Sequence, residues 1–150
     1  MQFNPVTWFE IPVNDIERAK AFYEAVFQFE IQLVDFGGLK MGWFPNAGSV
    51  SGATGSLMQH ESYVPSHSGT LVYFSCQDVA NELSRVDAAG GKVMHKKTQI
   101  SPEHGFMAVF EDSEGMVSAV NTTRTSCCTM IIITGTRNLS NHGISLNNGS

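Results

Sequence analysis

The chain carries the same supersecondary unit twice. Thr7-Trp-Phe-Glu-Ile-Pro-Val-Asn-Asp15 returns as Thr70-Leu-Val-Tyr-Phe-Ser-Cys-Gln-Asp78, an offset of 63 residues in which an extended run enters a helix cap. Whatever the first copy builds, the second builds again. A site between two such units can therefore be read by comparing them.

Asp15 suits an N-cap, because its carboxylate can accept the free amide hydrogens of a first helical turn. Ile16, Ala19, Phe22, Tyr23 and Val26 recur at helical spacing, with Lys20 and Glu24 an i,i+4 pair on the outer face, which predicts a helix over 16–27. In the second copy Asp78 caps, Val79, Leu83 and Val86 form the stripe and Gly90-Gly91 ends it, which predicts a helix over 79–89. An opening strand over 3–13 and three later extended segments, 29–36, 39–44 and 56–61, complete the first unit. The second has 92–97, 106–111 and 116–121 after its own opening strand. A Gly, Ser and Ala-rich loop over 46–55 reads as a flexible lip.

The expected fold class is therefore α+β, two βαβββ modules with curved mixed sheets. The first module covers 1–61, a Pro65-containing linker 62–69, the second module 70–121 and a C-terminal tail 122–150. One helix can cover only one face of a four-stranded sheet, so the two sheets are expected to curve around a shared, cup-shaped cavity suited to a small molecule.

Charge narrows the partners. Residues 1–121 hold all fourteen acidic residues and seven of the nine basic ones, a net of roughly −7, and His95-Lys96-Lys97 is the largest basic spot. Nucleic acid is excluded as a partner, since phosphate neutralisation needs clustered Lys and Arg. No run approaches the roughly 20 apolar residues of a membrane span, and no basic stretch followed by an apolar block opens the chain, so a soluble cytoplasmic protein is expected. Cys76, Cys127 and Cys128 form neither a disulfide framework nor a C-x-x-C metal motif. The tail loses all acids and contains one β-prone run, Met130-Ile-Ile-Ile133. It reads as an added strand in a sheet or a dimer, as a poorly ordered extension, or as read-through past a stop near Asn121.

Phe9-Glu-Ile-Pro-Val-Asn-Asp-Ile-Glu-Arg-Ala-Lys-Ala-Phe-Tyr-Glu-Ala-Val-Phe27, followed by Asp87-Ala-Ala-Gly-Gly91 and Phe110-Glu-Asp-Ser-Glu-Gly115, resembles the vicinal oxygen chelate superfamily of glyoxalases, bleomycin resistance proteins and extradiol dioxygenases. The likeness covers residues 6–121. It implies four metal-ligand slots, one early in the first strand and one late in the last strand of each module, where His, Glu or Gln hold a divalent ion that polarises substrate oxygens. Counting seven back from Asp15 and applying the offset puts the strand-start slots at Trp8 and Leu71. Counting four on from Gly55 and Gly115 puts the strand-end slots at Gln59 and Ala119. Three of these four cannot ligate a metal, so no metal and no cofactor are expected. A one-residue slip to His60 or Glu61 would turn the side chain to the opposite face.

What remains is an aromatic cup. Alternation puts Glu10 on the face of Trp8, and Leu71, Tyr73 and Ser75 together in the second copy, with Cys76 opposite. One of Trp43 and Phe44 must point inward, and Met58 or Gln59 joins from the fourth strand. Trp8, Glu10, Trp43, Phe44, Met58, Gln59, Leu71, Tyr73 and Ala119 are thus the candidate ligand-binding residues. Stacking there contributes about 0.5 to 1.5 kcal/mol per ring pair beyond burial. In an enclosed cavity, burial would favour the protonated form of Glu10 and make it the candidate catalytic base.

Three functions compete. One is a metal-independent, homodimeric protein that binds a small aromatic or drug-like molecule. Another is a lyase, isomerase or dioxygenase-like enzyme using Glu10, or a metal held by other residues. The third is an interaction module with a filled, vestigial cavity. Nucleophilic catalysis has no supporting motif, and Gly48–Gly55 lacks the lysine of a phosphate loop.

Overall fold

A computed structural model of the chain describes residues 5–48 and 52–122. The β-prone run at 130–133, and with it every reading of the tail beyond Thr122, lies outside them.

The first module runs β1 (Trp8–Pro12), α1 (Ile16–Phe27), β2 (Gln32–Phe36), β3 (Leu39–Trp43) and β4 (Thr54–Gln59). The second runs β5 (Tyr73–Cys76), α2 (Val79–Val86), β6 (Lys92–Ser101), β7 (Gly105–Glu111) and β8 (Val117–Thr122). Each makes one mixed sheet, ordered β1-β4-β3-β2 and β5-β8-β7-β6, with a parallel pair at one edge and antiparallel pairs elsewhere. The α+β architecture of two βαβββ modules is the one expected.

Capping explains where the helices begin. Asp15 is extended and its carboxylate accepts from the amides of Glu17 and Arg18 at 3.1 and 3.0 Å. Asp78 does the same for Ala80 at 2.9 Å. The first helix ends on Gln28, whose φ of 57° lets its amide reach the Glu24 carbonyl. The second stops three residues before the expected end. Ala89 and Gly91 donate back to the Val86 carbonyl, and Gly90 at φ 95° turns the chain into β6.

The strands differ from expectation mainly at their ends. The first starts at Trp8 because pairing with β4 begins at Trp8↔Thr54. The sixth is longer than expected, to Ser101, and keeps contact with β7 through register shifts after Val93, His95 and Gln99.

The core sits on the helix-bearing sides. Ile11, Val13, Ile16, Phe22, Tyr23, Val26 and Leu57 of the first module form one cluster with Val79, Val86, Ala108, Phe110 and Val120 of the second. Helix α1 serves both sheets, since Phe22 packs on Phe110 at 5.9 Å and Tyr23 on Phe74 at 5.5 Å. Gly91 is required there: a Cβ would lie 2.5 Å from the Phe22 ring.

Polar contacts lock the same seam. The Glu114 carboxylate, on a side chain that is 0% exposed, accepts from the amides of Asn14 and Asp15 at 3.0 Å each and from Arg18 Nε at 2.7 Å. Tyr23 donates its hydroxyl proton to Asp112 at 2.8 Å. The acidic turn of the second module thus caps the helix entry of the first.

The sheets consequently do not close a cup between themselves within one chain. The modules meet through their helix sides, because α1 is apolar on enough of its surface to need both sheets. The other face of each sheet is left open. No helix among the described residues is long and apolar enough to cross a membrane.

Candidate functional site

Strand pairing maps the open faces row by row. In the first sheet one row reads Glu10, Ser56, Trp43, Gln32 and the next Pro12, Met58, Met41, Val34. In the second the matching row reads Tyr73, Ala119, Val109, His95. Glu10 corresponds to Tyr73 and Ser56 to Ala119, both at the 63-residue offset. Burial agrees with the map: Met41, Met58, Val109 and Ala119 are buried apolar residues outside the helix-side cluster.

This settles the open alternatives of the sequence. Trp43 faces the Trp8 side, whereas Phe44 is buried in the core against Tyr23 and Phe9. Met58 shares the face of Trp8, whereas Gln59 turns to the helix and accepts the Ile16 amide at 2.8 Å. Phe44 and Gln59 therefore turn away from the face of Trp8. Leu71 precedes β5 and Tyr73 lies within it, both half-buried, on the second module.

By the repeat, the first-module counterpart of Ala119 is Ser56 rather than Gln59. Gly55 is not the counterpart of Gly115: Gly52 is, 63 residues earlier, and both have positive φ, 123° and 82°. Four residues on from Gly52 is Ser56. Applying the offset to Ala119 would have found it from sequence alone.

Trp8 on β1 and Trp43 on β3 meet edge to face at 6.4 Å, although β4 lies between their strands. Their indoles therefore meet above β4. This accounts for Ser56, a small side chain on an open face, being 0% exposed. Its hydroxyl finds no hydrogen-bond partner among the described residues. Trp8 and Trp43 remain 41% and 37% exposed, and Phe36, 56% exposed, extends the aromatic surface from Trp43 at 6.2 Å. Glu10 is exposed at the sheet edge of the single chain.

Other reactive groups are held in structural roles. Burial pushes the Cys76 thiol up to about 12, with Glu82 adding to the effect, so it stays protonated and unreactive. A cleft of about 330 Å³ lies at the start of α2, but its Lys97 is committed to Asp78 at 2.6 Å and to the face of Phe106. Among the described residues no three His, Cys, Asp or Glu side chains come together as a metal site.

Comparison with known proteins agrees with this architecture. A sequence model of the Glyoxalase/Bleomycin resistance protein/Dioxygenase superfamily matches residues 5–119. A glyoxylase-like domain-containing protein of Didymella fabae is 28% identical over 120 residues, 78% of this chain and 92% of that one. Among solved structures, glyoxalase I from Zea mays superposes with a TM-score of 0.61 at 19% identity over 79% of this chain, which spans 46% of the Zea mays protein. TnmS3, an antibiotic binding protein from Streptomyces sp. CB03234, superposes with a TM-score of 0.58 at 24% identity over 83% of this chain and 99% of its own.

Proposed function

The chain belongs to the glyoxalase, bleomycin resistance protein and dioxygenase superfamily, and from that premise we propose that it is a metal-independent, cytoplasmic binding protein for a planar aromatic molecule, acting as a homodimer. The observation that carries this reading is the open face of the first sheet, where Trp8 and Trp43 present exposed indoles beside the Glu10 carboxylate and above the Ser56 hydroxyl, which has no partner among the described residues.

The slots where the family holds its metal do not fit one. Trp8, Leu71 and Ala119 offer no donor, and a single serine hydroxyl does not hold a divalent ion. The same positions suit an organic ligand. A flat ring system takes the place of the Trp8–Trp43 edge contact, Ser56 then gains a partner for its hydroxyl, and Glu10 favours a cationic edge. The fold shared with TnmS3, an antibiotic binding protein, supports this use of the scaffold.

A second copy completes the site. Because the modules of one chain are joined through their helix sides, the face of Trp8 has no cover of its own, and the matching face with Tyr73, Val109 and Ala119 from another chain would supply it. Leu71 and Tyr73 then line the far wall of the cavity.

Calorimetry with proflavine, a planar cation, and with 1-naphthalenesulfonate, a planar anion, tests the reading. Proflavine is expected to bind saturably, the anion at least tenfold more weakly, and Glu10→Gln to narrow that gap. Turnover of a substrate that is lost in Glu10→Gln would instead establish the enzyme reading with Glu10 as base.

A further inference from the structure

Where β1 and the segment after β3 meet β5, the seam between the modules is not filled. A cleft of about 190 Å³ opens there, lined by neither Trp8 nor Trp43. Phe9, Phe29, Phe44 and Phe74 line it, together with Thr54, Tyr73 and Ser75. The end of a core seam is ordinarily closed, because phenyl rings left in contact with water forgo burial. Here Phe9, Phe29 and Phe74 stay half-exposed while only Phe44 is buried, at 7%.

We propose that this seam cleft is a second ligand site, separate from the open-face site, which takes one neutral aromatic ring with a single hydroxyl-type substituent. Size sets the first limit. Drug-sized ligands need about 300 Å³ or more, whereas an apolar cavity of about 150 Å³ takes up one benzene. The ring geometry sets the second. Phe44 meets Phe74 at 67° and Phe29 at 84°, and Phe9 meets Phe74 at 87°, with centroids 5.6 to 6.1 Å apart. An added ring continues that edge-to-face network. The lining sets the third. The nine lining residues carry no formal charge, so a charged substituent would lose its hydration without compensation. Thr54 already donates to the Pro45 carbonyl at 3.0 Å, which leaves its oxygen free to accept.

The test is fluorine NMR of 4-fluorophenol with the full chain. Saturable line broadening is expected, unchanged in Trp43→Ala and at least tenfold weaker in Ser75→Phe and in Ala53→Leu, two substitutions at exposed lining positions that fill the cleft. Fluorinated benzoate and benzylamine are expected to bind at least tenfold more weakly than the phenol. Broadening that survives both filling substitutions, or that disappears in Trp43→Ala alone, would overturn the seam site and move the ring to the open face. Failure of proflavine to bind would overturn only the open-face reading.

Discussion

The two faces of the first sheet obey opposite rules. On the helix side Phe22, Tyr23, Phe44 and Phe110 are buried and the polar groups at the α1 entry are paired: Glu114 meets two amides and Arg18, and Tyr23 meets Asp112. On the opposite, open side of the same sheet, indoles are left partly in water and a buried hydroxyl has no partner among the described residues. Stability accounts for the first arrangement and works against the second. An exposed aromatic surface and an orphaned polar group persist in a fold when something outside the chain uses them.

The largest break of this contrast should come from the helix side. Phe110→Ala removes a ring that is 0% exposed and packed on Phe22 and Phe27. It is expected to cost about 3 to 5 kcal/mol, read by denaturant unfolding, and to separate the modules before either sheet is lost.

Glu114→Ala comes next, at about 2 to 4 kcal/mol, because two amides at the α1 entry lose their acceptor while the half-exposed Arg18 returns to water. This position also sets a pH dependence. Burial raises the Glu114 carboxyl, but hydrogen bonds from Arg18 and from the amides of Asp15 and Asn14 outweigh it and hold the group below its ordinary value of 4.5. Its stabilisation is therefore complete above pH 4.5 and is lost as pH falls through the lowered value in the fold. Asp112 runs the other way, since burial raises it and acid relieves that cost. Unfolding followed below pH 4.5 should show a steeper loss in the wild-type chain than in Glu114→Gln.

On the open side the effects on stability should be small and those on binding large. Trp43→Ala is expected to cost only about 1 to 2 kcal/mol of stability, mostly the edge contact with Trp8 and partial burial, while abolishing proflavine binding in calorimetry. Ser56→Ala should be the mildest of all, within about 1 kcal/mol of neutral, because it deletes a hydroxyl that has no partner among the described residues. A large destabilisation by Ser56→Ala would mean that the hydroxyl is satisfied within the fold and would erase the contrast between the faces.

Much of this was legible in the chain. Capping aspartates and 3.6-residue stripes located both helices, and the repeat located both sheets, because these signals are local. The open face was half legible. Alternation correctly joined Trp8 to Glu10, but it could not choose between Trp43 and Phe44 or between Met58 and Gln59, since the register of β3 and β4 depends on pairing rather than on sequence spacing. Gly55 misled the count to Gln59 because the turn before β4 is built around Gly52, and both glycines look alike in one dimension. The module arrangement was not legible at all. That α1 packs on Phe74 and Phe110 of the other module follows from the width of its apolar surface, which periodicity underestimates once Phe27 and Tyr23 both count.

Both tryptophans of the chain, Trp8 and Trp43, lie on the open face, so selectively excited tryptophan fluorescence reports on that face. Titrating the native protein with proflavine, with and without EDTA, tests the account most directly. Saturable quenching to a single plateau, indifferent to the chelator, is the predicted result. Quenching that vanishes when EDTA strips a stoichiometric metal from the protein would contradict it.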